Sequence, residues 1–166
     1  LLIGTACSNG DIFEIARTRS KDDLKEAMSF YDYVEIQPLE NYVYLINRGL
    51  NDSLEQIKTY LIDIVEVADE LGKPVVATGD VHYANPEDKL SRDIYIRAKA
   101  VGGKYHPLHL RDPLIENPNQ HYRTTREMLD AFEFLGKEKA FEIVVTNTNK
   151  IADMCDNMEP IHELLC

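Results

Sequence analysis

An α/β fold with parallel strands is what this sequence predicts, on three observations. Short apolar, β-branched runs at residues 1 to 5 (LLIGT), 33 to 38 (YVEIQP) and 74 to 79 (PVVATG) have the length and composition of buried strands. The segments between them repeat apolar residues at a helical period. A strand, a long helix and another strand fall within about 45 residues, the βαβ arrangement that gives parallel sheets with right-handed crossovers. Repeated twice, the unit predicts part of an α/β barrel or a doubly wound sheet.

Taken in order, residues 9 to 17 and 21 to 29 are expected as short helices, the second starting after Ser20, whose hydroxyl is suited to cap the first turn. Residues 53 to 71 carry the strongest helical pattern, with Leu54, Ile57, Leu61, Ile64, Val65, Ala68 and Leu71 on one face. Ser53 and Gln56 form a capping-box pattern at its start, and Gly72, Lys73 and Pro74 end it. Residues 87 to 100 are expected to be helical. Residues 101 to 121, with Gly102, Gly103, Pro107, Pro113 and Pro118, read as an irregular loop. Thr124 and Glu127 make a second capping box, followed by helices at 125 to 133 and 137 to 157, and the tail after Pro160 is expected to fray. No internal repeat or low-complexity tract interrupts this order.

With 166 residues, 44% of them hydrophobic, residues 1 to 166 are expected to form a single domain with one core. No apolar stretch approaches a membrane span and no signal-peptide start is present, so a cytoplasmic protein without a membrane partner is expected. Twenty-nine acidic against eighteen basic residues give a net charge of −11, which weighs against this segment as a main nucleic-acid-binding surface. The acidity reads first as a solvated exterior, with an acidic docking face as the other reading. Cys7, Cys155 and Cys166 have no disulfide-framework spacing, so a special cysteine would be a metal ligand or a nucleophile. The opening LLIG, without Met, reads as a fragment of something longer.

In parallel α/β folds the chemistry sits beyond the C-terminal ends of the strands. That rule selects Cys7 after the first run, Glu40 after the second, and Asp80 and His82 after the third. Two positions apart in an extended loop, residues 80 and 82 project to the same side. A thiolate, a carboxylate and an imidazole together suit zinc or a similar first-row cation better than calcium or magnesium. Each residue also has a bland role: Asp as a turn cap, His on the surface, Cys in the core. Cys7 as a nucleophile with His82 as its base is a further arrangement. His106, His109, His121 and His162 fall in loop or tail segments and are expected to be exposed, and Glu35 is expected either to be a perturbed buried carboxylate or to face a base on a covering helix. There is no Gly-rich phosphate loop, nucleophile elbow or H-E-x-x-H helix.

Five stretches, IGTACSNGDIFE, FYDYVEIQP, LGKPVVATGDVHYANPED, HYRTTREMLDAFEFLG and KAFEIVVTNTNKIADM, resemble in this order the later half of the polymerase-and-histidinol-phosphatase (PHP) domain of PolC-type DNA polymerases III. The resemblance covers nearly the whole chain. It implies a partial distorted (β/α)7 PHP barrel with parallel strands and additional C-terminal helices. It also implies a cluster of divalent metal ions, zinc or manganese, at the strand C-terminal ends. The family's Cys motif falls on Cys7 and its late Asp-x-His motif on Asp80 and His82, while its earlier His motifs have no counterpart here. In the family an exonuclease is inserted in the PHP domain, and this chain resembles the part after it.

The implied function is a segment of a replicative DNA-directed DNA polymerase with an associated 3′-5′ exonuclease, the segment alone being inactive. Magnesium would serve the parent polymerase, DNA and deoxynucleotides would be handled by its other domains, and other replisome proteins would be partners. Self-association of the fragment through open strand edges is a further expectation. A stand-alone PHP-type metal-dependent phosphoesterase and a non-catalytic interaction module of the replisome are the competing readings. Two departures from the family pattern are Thr5 in place of a usual Ser and His121 at an aromatic or apolar position beside RTT.

Overall fold

Two strands, β1 (Val34–Ile36) and β2 (Val75–Ala77), pair in parallel at the centre of the protein, with Val34 beside Val75, Glu35 beside Val76 and Ile36 beside Ala77. The computed structural model describes residues 1–50, 53–106, 108–109 and 117–156. The alternation of a parallel ladder sends Val34, Ile36, Val75 and Ala77 into the hydrophobic core and Glu35 to the other face. There Glu35 accepts a 2.8 Å hydrogen bond from the hydroxyl of Thr78 rather than meeting a base.

The expected first strand contracts to one parallel bridge between Gly4 and Tyr33. The physical reason is local. The N–H of Glu35, which a neighbouring carbonyl would receive in a full ladder, donates instead to the hydroxyl of Thr5 at 2.9 Å, and the chain turns away at Ala6. Two strands and one bridge form a small parallel sheet, so the α/β assignment holds at that level.

Helices α1 (Asp11–Thr18), α2 (Lys21–Met28) and α4 (Leu54–Glu70) cover the apolar face. Ser20 and Asp23 form a reciprocal capping box, and the Ser53 hydroxyl accepts the Gln56 N–H, so both sequence-read caps are present. Along α4, Ile57, Leu61, Ile64 and Ala68 are buried, as their spacing predicts. Its end is set by Gly72, whose φ of +65° a side chain would strain. Lys21 pairs with Asp63 and Glu66, and Lys25 with Glu70, linking α2 to α4 through exposed pairs that add little stability.

A 3₁₀ turn (Leu39–Tyr42) and α3 (Val43–Asn47) follow β1, in a stretch for which no element was expected. Tyr42 is buried against Phe13, with ring centroids 4.8 Å apart, and its hydroxyl accepts the N–H of Gln37. Beyond β2 a 3₁₀ turn (Pro86–Asp88), closed by Asn85 and Asp88, leads into α5 (Lys89–Arg97). That helix stops short of residue 100, because residues 99 and 105 form an antiparallel bridge instead. Residues 107 and 110–116 of the expected loop, and the expected frayed tail with His162 and Cys166, lie outside the described residues.

Thr124 caps α6 (Thr125–Ala131), and its N–H and hydroxyl hold the Glu127 carboxyl below the usual carboxylate range. A 3₁₀ turn (Glu133–Leu135) and Gly136 separate it from α7 (Lys137–Phe141). The helix expected over 137 to 157 is interrupted, since a π-helical segment (Glu142–Thr146) lies between α7 and α8 (Asn147–Asp153). This wide turn has a local consequence at Asn147, which is 7% exposed and donates from Nδ2 to the Val75 carbonyl at 2.9 Å. That carbonyl points away from β1, so the side chain satisfies the outer edge of β2. Replacing Asn147 with alanine is expected to cost about 2 kcal/mol by leaving the carbonyl unpaired, read as a lowered urea midpoint with unchanged slope.

No helix among the described residues is long and apolar enough to cross a membrane.

Candidate functional site

The ends of the strands feed three loops into one cavity of about 330 Å³. Cys7 comes from the turn after the Gly4 bridge, Gln37 and Asn41 from the end of β1, and Asp80 and His82 from the loop after β2. Three of the four residues selected at strand ends, Cys7, Asp80 and His82, therefore line the same space. Glu40 does not line it and is committed elsewhere, to a buried arginine.

Backbone conformation marks the same two loops. Among the described residues, Ala6 (φ +58°) and Asp80 (φ +48°) are the non-glycine residues in the left-handed region. Both follow the end of a strand, one beside Cys7 and the other carrying a candidate ligand. Such conformations cost about 1 kcal/mol or more and persist only where surrounding structure imposes them.

The first loop is closed by a hydrogen bond from the Gly10 N–H to the Cys7 carbonyl at 2.8 Å. Its side chains are tied down as well: the Ser8 and Tyr44 hydroxyls lie 2.6 Å apart, and Asn9 Nδ2 lies 3.8 Å from Cys7 Sγ. The Cys7 thiol is half-buried and free, and Cys155 is free and exposed.

In the second loop Asp80 Oδ1 lies 3.5 Å from His82 Nε2, and Asp80 Oδ2 accepts a 2.7 Å hydrogen bond from Gln120 Nε2. The paired side chains remain rather more than a third exposed, at 36% for Asp80 and 38% for His82, so they face the cavity rather than the core. The 117–123 segment runs beside this loop. The His82 N–H donates to the Gln120 carbonyl, the Tyr122 N–H donates to the Tyr83 carbonyl, and Tyr83 and His121 form a parallel bridge.

Two guanidinium groups, Arg48 and Arg92, complete the polar wall with His106. Burial, then Arg92 and His82, hold the His106 imidazole below its ordinary pKa, which keeps it neutral at pH 7. Burial likewise raises the Tyr44 phenol. His106 accepts the Leu108 N–H through Nδ1, and His109 stacks on Tyr105 at 4.0 Å. None of His106, His109 and His121 is exposed as expected, all three being half-buried; the His121 side chain is 16% exposed, near Tyr83 and 3.9 Å from Glu127.

Asp80 Oδ1 and His82 Nε2 are an oxygen and a nitrogen that could serve one cation, and Cys7 lines the same cavity. Among the described residues, no three His, Cys, Asp or Glu side chains are grouped closely enough to hold a metal ion. The donor chemistry thus fits part of a metal site, and two arginines on the wall mean that a divalent ion here needs further anionic ligands.

Sequence reasoning missed Arg48, Arg92, Gln120 and Arg123. Arg123 lies in HYRTTREMLDAFEFLG and Gln120 just before it, a stretch read for its family resemblance, its capping box and His121, with no role given to either residue. Asn41 follows a strand-end position that was noted, yet an amide carries no signal of its own.

No protein-family model matches the sequence. The chain is 45% identical over 163 residues to "DNA polymerase III PolC-type" of Bacillus subtilis, with 98% of the chain aligned. It is 44% identical over 165 residues to the protein of that name from Halalkalibacterium halodurans, with 99% aligned, and 37% identical over 166 residues to that from Streptococcus pneumoniae, with 97% aligned. The chain spans 11% of the length of each of these curated relatives.

Proposed function

We propose that this chain is a segment of a PolC-type replicative DNA polymerase, the part of its PHP domain that follows the exonuclease insertion. Alignment of 97 to 99% of the chain at 37 to 45% identity with proteins of that name carries the reading. In it the polymerase and exonuclease carboxylates lie elsewhere in the parent, which would use magnesium, DNA and deoxynucleotides, work with other replisome proteins and reside in the cytoplasm. The small parallel sheet would be one arc of the distorted PHP barrel. The test is primer extension by the full-length protein with magnesium and all four deoxynucleotides. Extension supports the reading, and its absence from folded preparations of correct mass overturns it.

The segment's own contribution is structural. Asp80 and His82, with Cys7, would hold part of a zinc or manganese site completed by donors outside these 166 residues. A bound divalent ion would supply Lewis acidity and cross-link the loops. The chain's own residues orient the ligands: Gln120 fixes the Asp80 carboxylate, and the closed 5–10 turn presents Cys7.

Zinc titration against a chelating indicator is expected to show tighter binding by the full-length protein than by this chain. Cys7→Ser, Asp80→Ala and His82→Ala are each expected to weaken it about 10- to 100-fold, the range for losing a ligand or its support. Unchanged binding in all three variants would remove these residues from the site.

Arg48 and Arg92 favour a second reading, a phosphoesterase site of the PHP kind, because guanidinium groups suit phosphate oxygens. The isolated chain is expected to hydrolyse no phosphate monoester, and turnover abolished by Asp80→Ala would favour that reading instead.

A further inference from the structure

We infer that Arg123 is a positioning residue that fixes the loop bearing Asp80 and His82. Its side chain is 3% exposed and does not line the cavity. From that position Nη2 donates to the Asn119 carbonyl at 2.6 Å, to the Asn41 Oδ1 at 3.4 Å and to the Glu40 carboxylate, while Nη1 donates to the Gly79 carbonyl at 3.4 Å. Asn41 Nδ2 reaches the same Gly79 carbonyl at 3.0 Å, and Asn119 Nδ2 reaches Glu40 at 3.2 Å.

One buried guanidinium thus joins three segments: the turn after β1, the residue immediately before Asp80, and the strand-like 117–123 segment. The far side of that segment grips the loop itself. Gln120 binds the Asp80 carboxylate through its side chain and the His82 N–H through its carbonyl, while its own N–H donates to the Tyr83 hydroxyl at 2.9 Å.

This arrangement accounts for an otherwise costly backbone. Asp80 is held at φ +48° between two anchored points, the Gly79 carbonyl and the His82 N–H. Asn41 and Gln120 are buried at 3% and 4% exposure, so the bonds beside Gly79 and Asp80 are shielded from water, while Glu40 and Asn119 form the network's exposed side. Two terminal nitrogens of one guanidinium span these acceptors, Nη2 toward Glu40, Asn41 and Asn119 and Nη1 toward Gly79, whereas a lysine would bring one nitrogen in place of two. Release of Arg123 would therefore let the loop relax and disperse the Asp80–His82 pair.

The metal arm of the test rests on the proposed function, and the exchange arm does not. In the full-length protein, hydrogen exchange read by mass spectrometry compares the parent with Arg123→Met, Arg123→Lys and Gln120→Ala. Peptides covering 79–83 are expected to exchange about tenfold faster in Arg123→Met, with β1, β2 and α4 unchanged. Arg123→Lys should fall between the two, since the charge opposite Glu40 remains and the fork is lost. Gln120→Ala should also loosen 79–83, and it covers the case in which Arg123→Met does not fold.

Zinc affinity is expected to fall about tenfold in Gln120→Ala and Arg123→Met. Faster exchange without any zinc binding by the parent protein would keep Arg123 as the loop's anchor and discard the metal reading. Unaltered exchange of 79–83 in a folded Arg123→Met protein, or in Gln120→Ala where that variant does not fold, would overturn the inference.

Discussion

Phe132→Ala is expected to destabilise the chain by about 3–5 kcal/mol, the range for deleting a fully buried aromatic ring. Phe132 has no exposed surface and sits where α6 ends, belonging to the same core as Val75, Ala77 and Ile143. Its ring lies 6.1 Å from that of Phe134. Relaxation around the cavity is limited because the 3₁₀ turn at Glu133–Leu135 and Gly136 set the chain direction on one side, while the Thr124 capping box fixes α6 on the other. Urea unfolding should show a lower midpoint with the slope unchanged. A loss under about 1 kcal/mol would mean that α6 is not docked on the sheet's core.

Gly10→Ala is expected to cost about 3 kcal/mol, the upper end for forcing atoms into filled space. A Cβ at residue 10 would lie 2.4 Å from the Thr5 carbonyl oxygen and 3.1 Å from that of Cys7. Both are backbone atoms, so no side-chain rotation relieves the clash and the 5–10 turn must open. Opening it breaks the Gly10-to-Cys7 hydrogen bond and moves the thiol. With Cys155 and Cys166 replaced by serine, Cys7 should then react severalfold faster with a disulfide reagent. A variant with parental stability and thiol reactivity would show that the turn does not depend on the missing Cβ.

The contrast between α4 and the α7–α8 region shows what could be read from the residues. In α4, the apolar period, Ser53 at the start and Gly72 at the end are all local signals, and each acts within one or two turns of itself. The expected bounds of 53 to 71 therefore lie within a residue of Leu54–Glu70. Residues 137 to 157 carry an equally helical composition, but the π-helical segment goes with a bond from Asn147 to the Val75 carbonyl, 72 residues earlier. Nothing near residue 142 encodes that distance.

The same division holds at the site. That Cys7, Asp80 and His82 would line one cavity was legible, because strand ends are local properties and parallel topology gathers them on one side. Arg123, Gln120 and Asn41 were not, since an arginine in RTT or an amide after a strand is chemically ordinary until folding supplies its partners.

By itself, then, the sequence determined α1, α2, α4 and α6 with the caps at Ser20, Ser53 and Thr124, the parallel character of β1 and β2 and which side chains stand at the strand ends, because each depends on period, end chemistry or order along the chain. Tertiary structure alone decided that the first apolar run makes one bridge, that residues 142–146 widen into a π turn and that a buried guanidinium anchors the Asp80 loop. Those outcomes depend on hydrogen-bond partners 30 to 83 residues away, whose approach is set by packing.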